Sequence, residues 1–400
     1  MSVFLVILLF SILVLVHEAG HFFSAKKLGI RIEEFGIGYP PRIVGIYRNK
    51  KTGKYKILWR KKRNVITQNS SDSKKKTAQK IHSTIYSLNL IPFGGFVRIF
   101  GQDRGDKNSL NKKDSFNSKS ALKRSIVILA GVTANVVLAM IFLSIVFLLG
   151  APVEVNENTV GKLKNEHVVI MDMAKDSPAS TMGLQMGDKI IKIASQESQI
   201  INQKEINITE IDQVQKLVNE HKGEEILMTI QRGEKRIEFK GIPRVNFPEG
   251  EGALGVSLIK TGIIHYPWYI AIGKGISYSF SMLIMIVDGF YLVLKGLLFK
   301  SELIGNIAGP VGIFKMTSQA ASLGFVYFLH FGALISLNLA VINTLPFPAL
   351  DGGHFLFILI EKIKGSPIKP KTERVVNTIG FSLLIILMIF ITVRDVVKLF

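Results

Sequence analysis

The chain has no cysteine in its 400 residues. No disulfide can brace the fold, and no thiolate can hold a metal. Any metal must therefore rest on histidine and carboxylate. Both are in short supply: there are 8 histidines, and 30 acidic residues stand against 50 basic ones, for a net charge of +20. No internal repeat of regular period is visible, which argues against a solenoid or a propeller.

Apolar residues are abundant, at 48% of the chain, and the mean hydropathy is positive. Apolar runs long enough to span a bilayer lie near 2–24, 125–150, 325–345 and 375–393. The charge between them is uneven. Basic residues outnumber acidic ones roughly four to one over 25–124, whereas acids slightly outnumber bases over 151–265. A basic stretch can bind nucleic acid. Beside membrane segments it instead marks the cytoplasmic side, so no nucleic-acid partner is expected. Residues 1–16 lack a basic start and a small-residue cleavage site, and the charges follow the apolar run. That order predicts an uncleaved first span with its N-terminus outside.

Within that span His17, Glu18 and His21 arrive together, still among apolar neighbours. Ionisable groups at membrane depth are costly and mark function. On a helix, positions i and i+4 share a face, so His17 and His21 can grip one metal ion, leaving Glu18 free as a general base. Catalytic zinc takes three protein ligands and keeps a fourth place open. The missing ligand is sought in NTLPFPALDGGH, 343–354. Pro346 and Pro348 cannot continue a helix, so the backbone must open beside Asp351. Gly352 and Gly353 permit a close backbone approach. Asp351 is thus the expected third ligand of one Zn2+, with His354 as a rival. The amide of Asn343 is placed to hold a substrate backbone or an oxyanion.

Between the spans, 31–48 reads as strands broken by Gly36, Gly38 and Pro40-Pro41. Residues 49–80 read as a hairpin with a lysine-rich insertion centred on Lys74-Lys75-Lys76. LNLIPFGGFVRIFG, 88–101, is apolar but too short and too glycine-rich to span. Such a segment sits at membrane depth only where protein or a wet cavity satisfies its backbone, so it is read as a strand or loop beside the site. Residues 155–260 alternate short β-rich runs with one helical stretch near 209–221. Residues 268–299 are apolar but carry Lys274, Asp288 and Lys295, and are read as interfacial or re-entrant.

The pattern implies hydrolysis of a peptide bond in a membrane-spanning substrate. A helical substrate hides its carbonyls, so it must be unwound and held extended. Strand addition does this, with 36–48 and 92–100 offering the edges and Gly94, Gly95 and Phe96 meeting the substrate. Two other classes compete. A peptide-binding scaffold would not need the whole His17, Glu18, His21 and Asp351 set. A metal transporter would need more polar residues along its spans than the runs contain.

The stretches VHEAGHFFSAK (16–26), FGIGYPPRI (35–43), IPFGGFVRIFGQ (91–102), DSPASTMGLQMGDKIIKI (176–193), IAGPVGIFK (307–315) and SLNLAVINTLPFPALDGGH (336–354) resemble the site-2 protease family of intramembrane zinc metalloproteases, in its bacterial RseP-like branch. The resemblance implies that His17, His21 and Asp351 ligate zinc, that Glu18 is the catalytic base and that Asn343 lies near the substrate. It makes 176–193 part of a PDZ-like domain. It implies a cell-membrane protease of regulated intramembrane proteolysis, which cuts anti-sigma factors or remnant signal peptides. Two departures stand out. The family's Gly-Phe-Gly-Pro-like element reads Gly36-Ile37-Gly38-Tyr39-Pro40 here, and one PDZ-like domain replaces the tandem pair of some members.

The expected architecture is a multi-domain membrane protein with an α-helical transmembrane core of about four spans, a membrane-associated β-hairpin and one extracytoplasmic α+β PDZ-like domain. Its parts are a first transmembrane helix at 1–30, β-hairpins and the basic insertion at 31–120, and a second transmembrane helix at 121–150. The PDZ-like domain follows at 151–262, then interfacial or re-entrant helices at 263–320, a third transmembrane helix at 321–361 and a fourth at 374–400. Parity requires one net crossing between 265 and 361 if Asp351 is to reach the histidines. Otherwise it would sit a bilayer thickness of ~30 Å away.

Overall fold

The computed structural model describes residues 2–49, 52–59, 83–102, 112–155, 163–195, 206–233, 235–248, 250–299 and 308–397. The heart of the lysine-rich insertion and the first residue of IAGPVGIFK fall outside them. The chain forms two compact units, one of residues 1–142, 276–318 and 331–400, the other of 143–275 and 319–330.

Four helices of the expected spans are present: α1 (Ser2–Lys27), α2 (Ala121–Leu149) and, further on, Phe325–Thr344 and Pro370–Val397. Such runs are helical because a helix satisfies its own backbone where no water is available. In the first unit the strands β1 (Ile32–Arg48), β2 (Tyr55–Trp59) and β3 (Ile85–Ile99) form a sheet in the order β2-β1-β3. Both halves of β3 pair with β1: Glu34–Ile37 of β1 lies between Ile85–Leu88 and Gly95–Arg98. The 88–101 segment is therefore strand. Phe22, Ala25, Ile30, Ile32, Ile99, Val127, Ile128 and Ile358 form one buried cluster, which ties the end of α1 to the sheet and to α2.

The second unit holds β4 (Ala151–Glu154), β5 (Lys164–Met173), α3 (Pro178–Met182), β6 (Lys189–Ser195), β7 (Ile206–Asn207), α4 (Ile211–Glu220), β8 (Ile226–Arg232), β9 (Lys235–Gly241) and β10 (Val256–Ile264). The sheet order is β4-β10-β5-β6-β8-β9, with β7 on β6. Val168, Ile170, Ile190, Ile226, Met228 and Ile230 fill its core with Val214 and Val218 of α4. This is the period-2 burial of strands against one amphipathic helix.

Residues 268–299, read above as interfacial or re-entrant, are helical throughout. They form one unbroken helix, α5 (Trp268–Phe299), and its 268–293 stretch is long and apolar enough to cross a membrane. No return turn lies within it. Helix is the one conformation that spares these residues an unpaired backbone in apolar surroundings, and long lysine stems can carry charge away from it. After α6 (Pro310–Leu323) come α7 (Phe325–Thr344), α8 (Asp351–Lys364) and α9 (Pro370–Val397). The expected third span at 321–361 is thus two helices, parted at 345–350 by the proline-rich break.

In the second unit Asp188 is fully buried. It accepts from Arg232 Nε and Nη2, both at 2.7 Å, and from the Gln185 backbone at 2.8 Å. Arg232→Ala leaves that charge without its cation, at an expected cost of about 3–5 kcal/mol. Hydrogen exchange at β8 in the full-length protein should accelerate to match; unchanged protection would contradict the assignment.

Candidate metal centre

His17 and His21 stand one turn apart on α1 and are buried, 7% and 6% exposed. Asp351 opens α8. Its Oδ2 lies 2.9 Å from His17 Nε2 and 3.2 Å from His21 Nε2. The two Nε2 atoms are 3.2 Å apart. Donors held tetrahedrally around zinc by arms of about 2 Å are roughly 3.3 Å from each other, so the spacing suits the ion.

The protonation pattern suits it too. His21 Nδ1 lies 2.8 Å from the carbonyl of Val127 and can only donate to it, so in the neutral ring Nε2 carries the lone pair. His17 Nδ1 lies 3.2 Å from the side-chain amide of Asn135. Asn135 is fully buried and its Oδ1 has no partner. A half-turn of the amide brings Oδ1 to the ring. It then accepts from His17 Nδ1–H, and Nε2 of this ring is also unprotonated. Asp351 Oδ2 is itself buried without a hydrogen-bond donor. Two imidazole lone pairs and a carboxylate oxygen thus converge on one point, a donor set that a divalent cation satisfies. Among the described residues this is the one cluster of at least three such ligands.

A sequence profile of peptidase family M50 matches residues 5–59 and 73–387. The chain belongs to peptidase family M50. A zinc metalloprotease RasP of Shouchella clausii is 30% identical, covering 98% of this chain and 98% of its own length. RasP of Oceanobacillus iheyensis is 27% identical, again with 98% of each chain covered. A Clostridium acetobutylicum protein named as a zinc metalloprotease is 31% identical over 99% of this chain and 97% of its own. This M50 member is accordingly a zinc metalloprotease of the RseP-like site-2 protease family, and a multi-pass membrane protein.

The other residues singled out in the sequence fall as follows. Glu18, beside His17, takes the Val97 backbone N–H at 3.0 Å through Oε2. Val97 lies on the stretch of β3 that β1 covers along one edge. Gly94 and Gly95 lie against α1: a Cβ on Gly94 would stand 2.7 Å from Val14 Cγ1, and one on Gly95 3.3 Å from Leu15 Cδ1. Asn343 is half-buried near the end of α7, and its side chain makes no hydrogen bond among the described residues. His354 turns elsewhere, its Nδ1 lying 3.9 Å from Glu373 on α9. A cavity of about 760 Å3 separates the Phe96–Gln102 stretch from Ala349, His354 and the first half of α9.

Sequence reasoning missed how α2 serves the site. From sequence, Gly131 and Asn135 in the 125–150 run promise close helix packing and no more. Their four-residue spacing inside an apolar run was the available signal, since it puts both on the face that meets the histidines. A Cβ on Gly131 would come within 2.5 Å of His21 Nε2 and 2.8 Å of His17 Cε1. A Cβ on Gly20 would meet the Ala130 carbonyl at 2.3 Å. These two glycines let α1 and α2 close on each other. Arg124 of α2 also grips Glu361 of α8 in a bidentate pair, at 3.0 and 2.8 Å. Gly131→Ala should push the imidazoles out of register and strip zinc from a protein that still folds. Zinc content of the purified variant, against its circular dichroism, checks this; full loading would contradict it.

Proposed function

We propose that His17, His21 and Asp351 hold one catalytic zinc and that Glu18 is the general base of peptide-bond hydrolysis within the membrane. The convergence of the three ligand atoms within 4.8 Å carries the reading. Zinc there supplies the Lewis acidity that polarises a carbonyl and makes water acidic. Glu18 takes the proton from the attacking water and returns it to the leaving amine. The Val97 N–H holds its carboxylate in place.

The substrate is an unwound transmembrane segment laid along the Gly94–Ile99 edge of β3, where Gly94, Gly95 and Phe96 meet it by strand addition. The neighbouring cavity gives room for it. Asn343 then binds its backbone. Anti-sigma factors and remnant signal peptides are the substrate classes we favour, as parts of regulated intramembrane proteolysis.

The 151–262 region is a PDZ-like domain. A groove of about 310 Å3 runs between α4 and residues 252–258, lined by Ile211, Val214, Val218, Leu254 and Val256. The start of β10 has β5 on one side and, among the described residues, no strand on the other, as strand addition by a peptide requires. Lys260 closes the far end by bridging Glu166 at 2.8 Å and Glu210 at 2.5 Å.

In topology, the N-terminus and this domain lie outside a bacterial inner membrane, and 25–124 lies inside. The contact of Asp351 with the histidines supports one net crossing between 265 and 361. We assign that crossing to α7, so α5 lies along the membrane, with the four spans α1, α2, α7 and α9. The grouping of 319–330 with 143–275 fits a chain that starts α7 on the side where it left the domain.

Two experiments bear on this. His17→Ala and Asp351→Ala should lower zinc occupancy sharply, while Glu18→Gln keeps the metal and loses cleavage by orders of magnitude; a fully active Glu18→Gln protein sinks the mechanism. For topology, single cysteines can be placed in a chain that has none. One at Ser257 should react with an impermeant reagent from outside, and one at Ser366 should not. Ser301, a further useful position, lies outside the described residues. External labelling at Ser366 would overturn the arrangement.

A further inference from the structure

Resting on the metal site proposed above, a second question is what fixes Asp351 itself. Asp351 follows a break of six residues, Leu345–Leu350, between α7 and α8. Pro346 and Pro348 have no N–H to place. The other donors can be accounted for one by one. Leu345 N–H goes to Ile342 O at 3.1 Å, Phe347 N–H to Leu345 O at 2.7 Å, and Leu350 N–H to Phe347 O at 3.2 Å. Ala349 N–H alone reaches beyond the break and the helix before it: it donates to Asn377 Oδ1 of α9 at 3.2 Å.

Ala349 is also the residue with the unfavourable backbone. Its φ is +72°, a left-handed conformation that a side chain with a Cβ resists and glycine does not. Such a conformation persists only where its surroundings impose it. One turn along α9 from Asn377, Gly380 packs on the same break. A Cβ there would stand 2.5 Å from Pro348 Cβ and 2.9 Å from Pro348 O. The last helix therefore touches the break at two points on one face, two and three residues ahead of Asp351.

We propose that Asn377 is a positioning residue for the metal ligand Asp351. Its amide oxygen holds Ala349 in the left-handed conformation that ends the break, and so sets the carboxylate of Asp351 against His17 and His21. Asn377 touches neither the metal ligands nor the reacting atoms. It acts through the backbone, from a helix that supplies no ligand.

The test is zinc affinity of the full-length protein in detergent, by competition with a chelator, using zinc alone as the probe. Asn377→Ala should weaken zinc binding by about 10- to 100-fold, the range for lost outer-shell partners. Asn377→Asp keeps an acceptor at the same reach and should bind close to the parent. Ala349→Gly placed on Asn377→Ala should recover most of the loss, because glycine enters the conformation without the clamp. A merely structural role for Asn377 would not be rescued by a change at residue 349. Should the alanine variant fail to accumulate, Asn377→Ser, with its shorter reach, should show an intermediate loss. Parent-like affinity in Asn377→Ala or Asn377→Ser overturns the proposal, and so does a loss that Ala349→Gly leaves in place. His17→Ala is the control for the site itself: if it binds zinc as the parent does, the metal-site reading fails, not the role of Asn377.

Discussion

Three unshared electron pairs are held together where little water reaches. Each imidazole has its Nδ1 engaged, by Val127 O or Asn135, so each Nε2 faces inward with its lone pair. The Asp351 oxygen they meet is buried and receives no hydrogen bond. Without a cation this is a repulsive arrangement in a low-dielectric place. The surrounding fold must therefore hold it rigidly enough that the donors do not part, and much of the first unit can be understood in that light. Gly20 and Gly131 remove side chains so that α1 and α2 meet at backbone distance. The pair of Arg124 and Glu361 fastens α2 to the helix that begins with Asp351. A buried ion pair adds little net stability, but it fixes one arrangement against others, and here the arrangement is the one the metal requires.

The same site demands a helix that stops. Two of the proposed ligands come from an intact helix, where regular spacing does the work. The third comes from the first turn of α8, after a stretch that cannot be helical. Inside a membrane such a stretch survives only if each backbone donor finds a partner in the protein. Two prolines dispose of two donors by having none, short turns take the others, and α9 takes the last. The close fit beneath the break has the same origin. A Cβ on Gly352 would meet Leu345 O at 2.2 Å, and one on Gly353 would meet Phe347 O at 2.3 Å. The glycines after Asp351 are there for contact as well as for freedom of rotation.

What the sequence made legible follows from how local each signal is. The i, i+4 histidines and the proline break are written in nearly consecutive residues, so the candidate ligands that the fold brings together and the opening of the backbone could be read directly. The second unit was legible as short β-rich runs over 155–260 with one helical stretch near 209–221, and its strands and α4 follow that order. Asn135, Asn377 and the carbonyl of Val127 were not. Their roles depend on which face of one helix meets another, and an apolar run without a polar stripe does not encode its own rotation. In residues 268–299 the unbroken length of the helix was not legible, for a related reason. Glycine and an occasional charge weaken a helix in water, but in apolar surroundings the need to pair the backbone outweighs propensity. The length of that helix says it can cross; the position of Asp351 supplies the argument about whether it does.

That argument is geometric, and it links the ligands to the topology. His17 and His21 lie towards the end of α1, and Asp351 lies just past the end of α7. Two helices whose C-terminal ends meet at one ion must run the same way through the bilayer. On the topology proposed above, α1 and α7 both run outward-to-inward, so the chain between them must cross an odd number of times: α2 returns it, and 150 to 324 adds no net crossing. α5 can satisfy this by lying along the surface, or by pairing with a second crossing before α7 begins. The candidates for that second crossing are short. α6 is 14 residues long, which at 1.5 Å per residue falls well below a hydrocarbon core of ~30 Å. A helix of 32 residues lying flat, with Lys274, Asp288 and Lys295 reaching water and its apolar side chains in the lipid, needs no such partner.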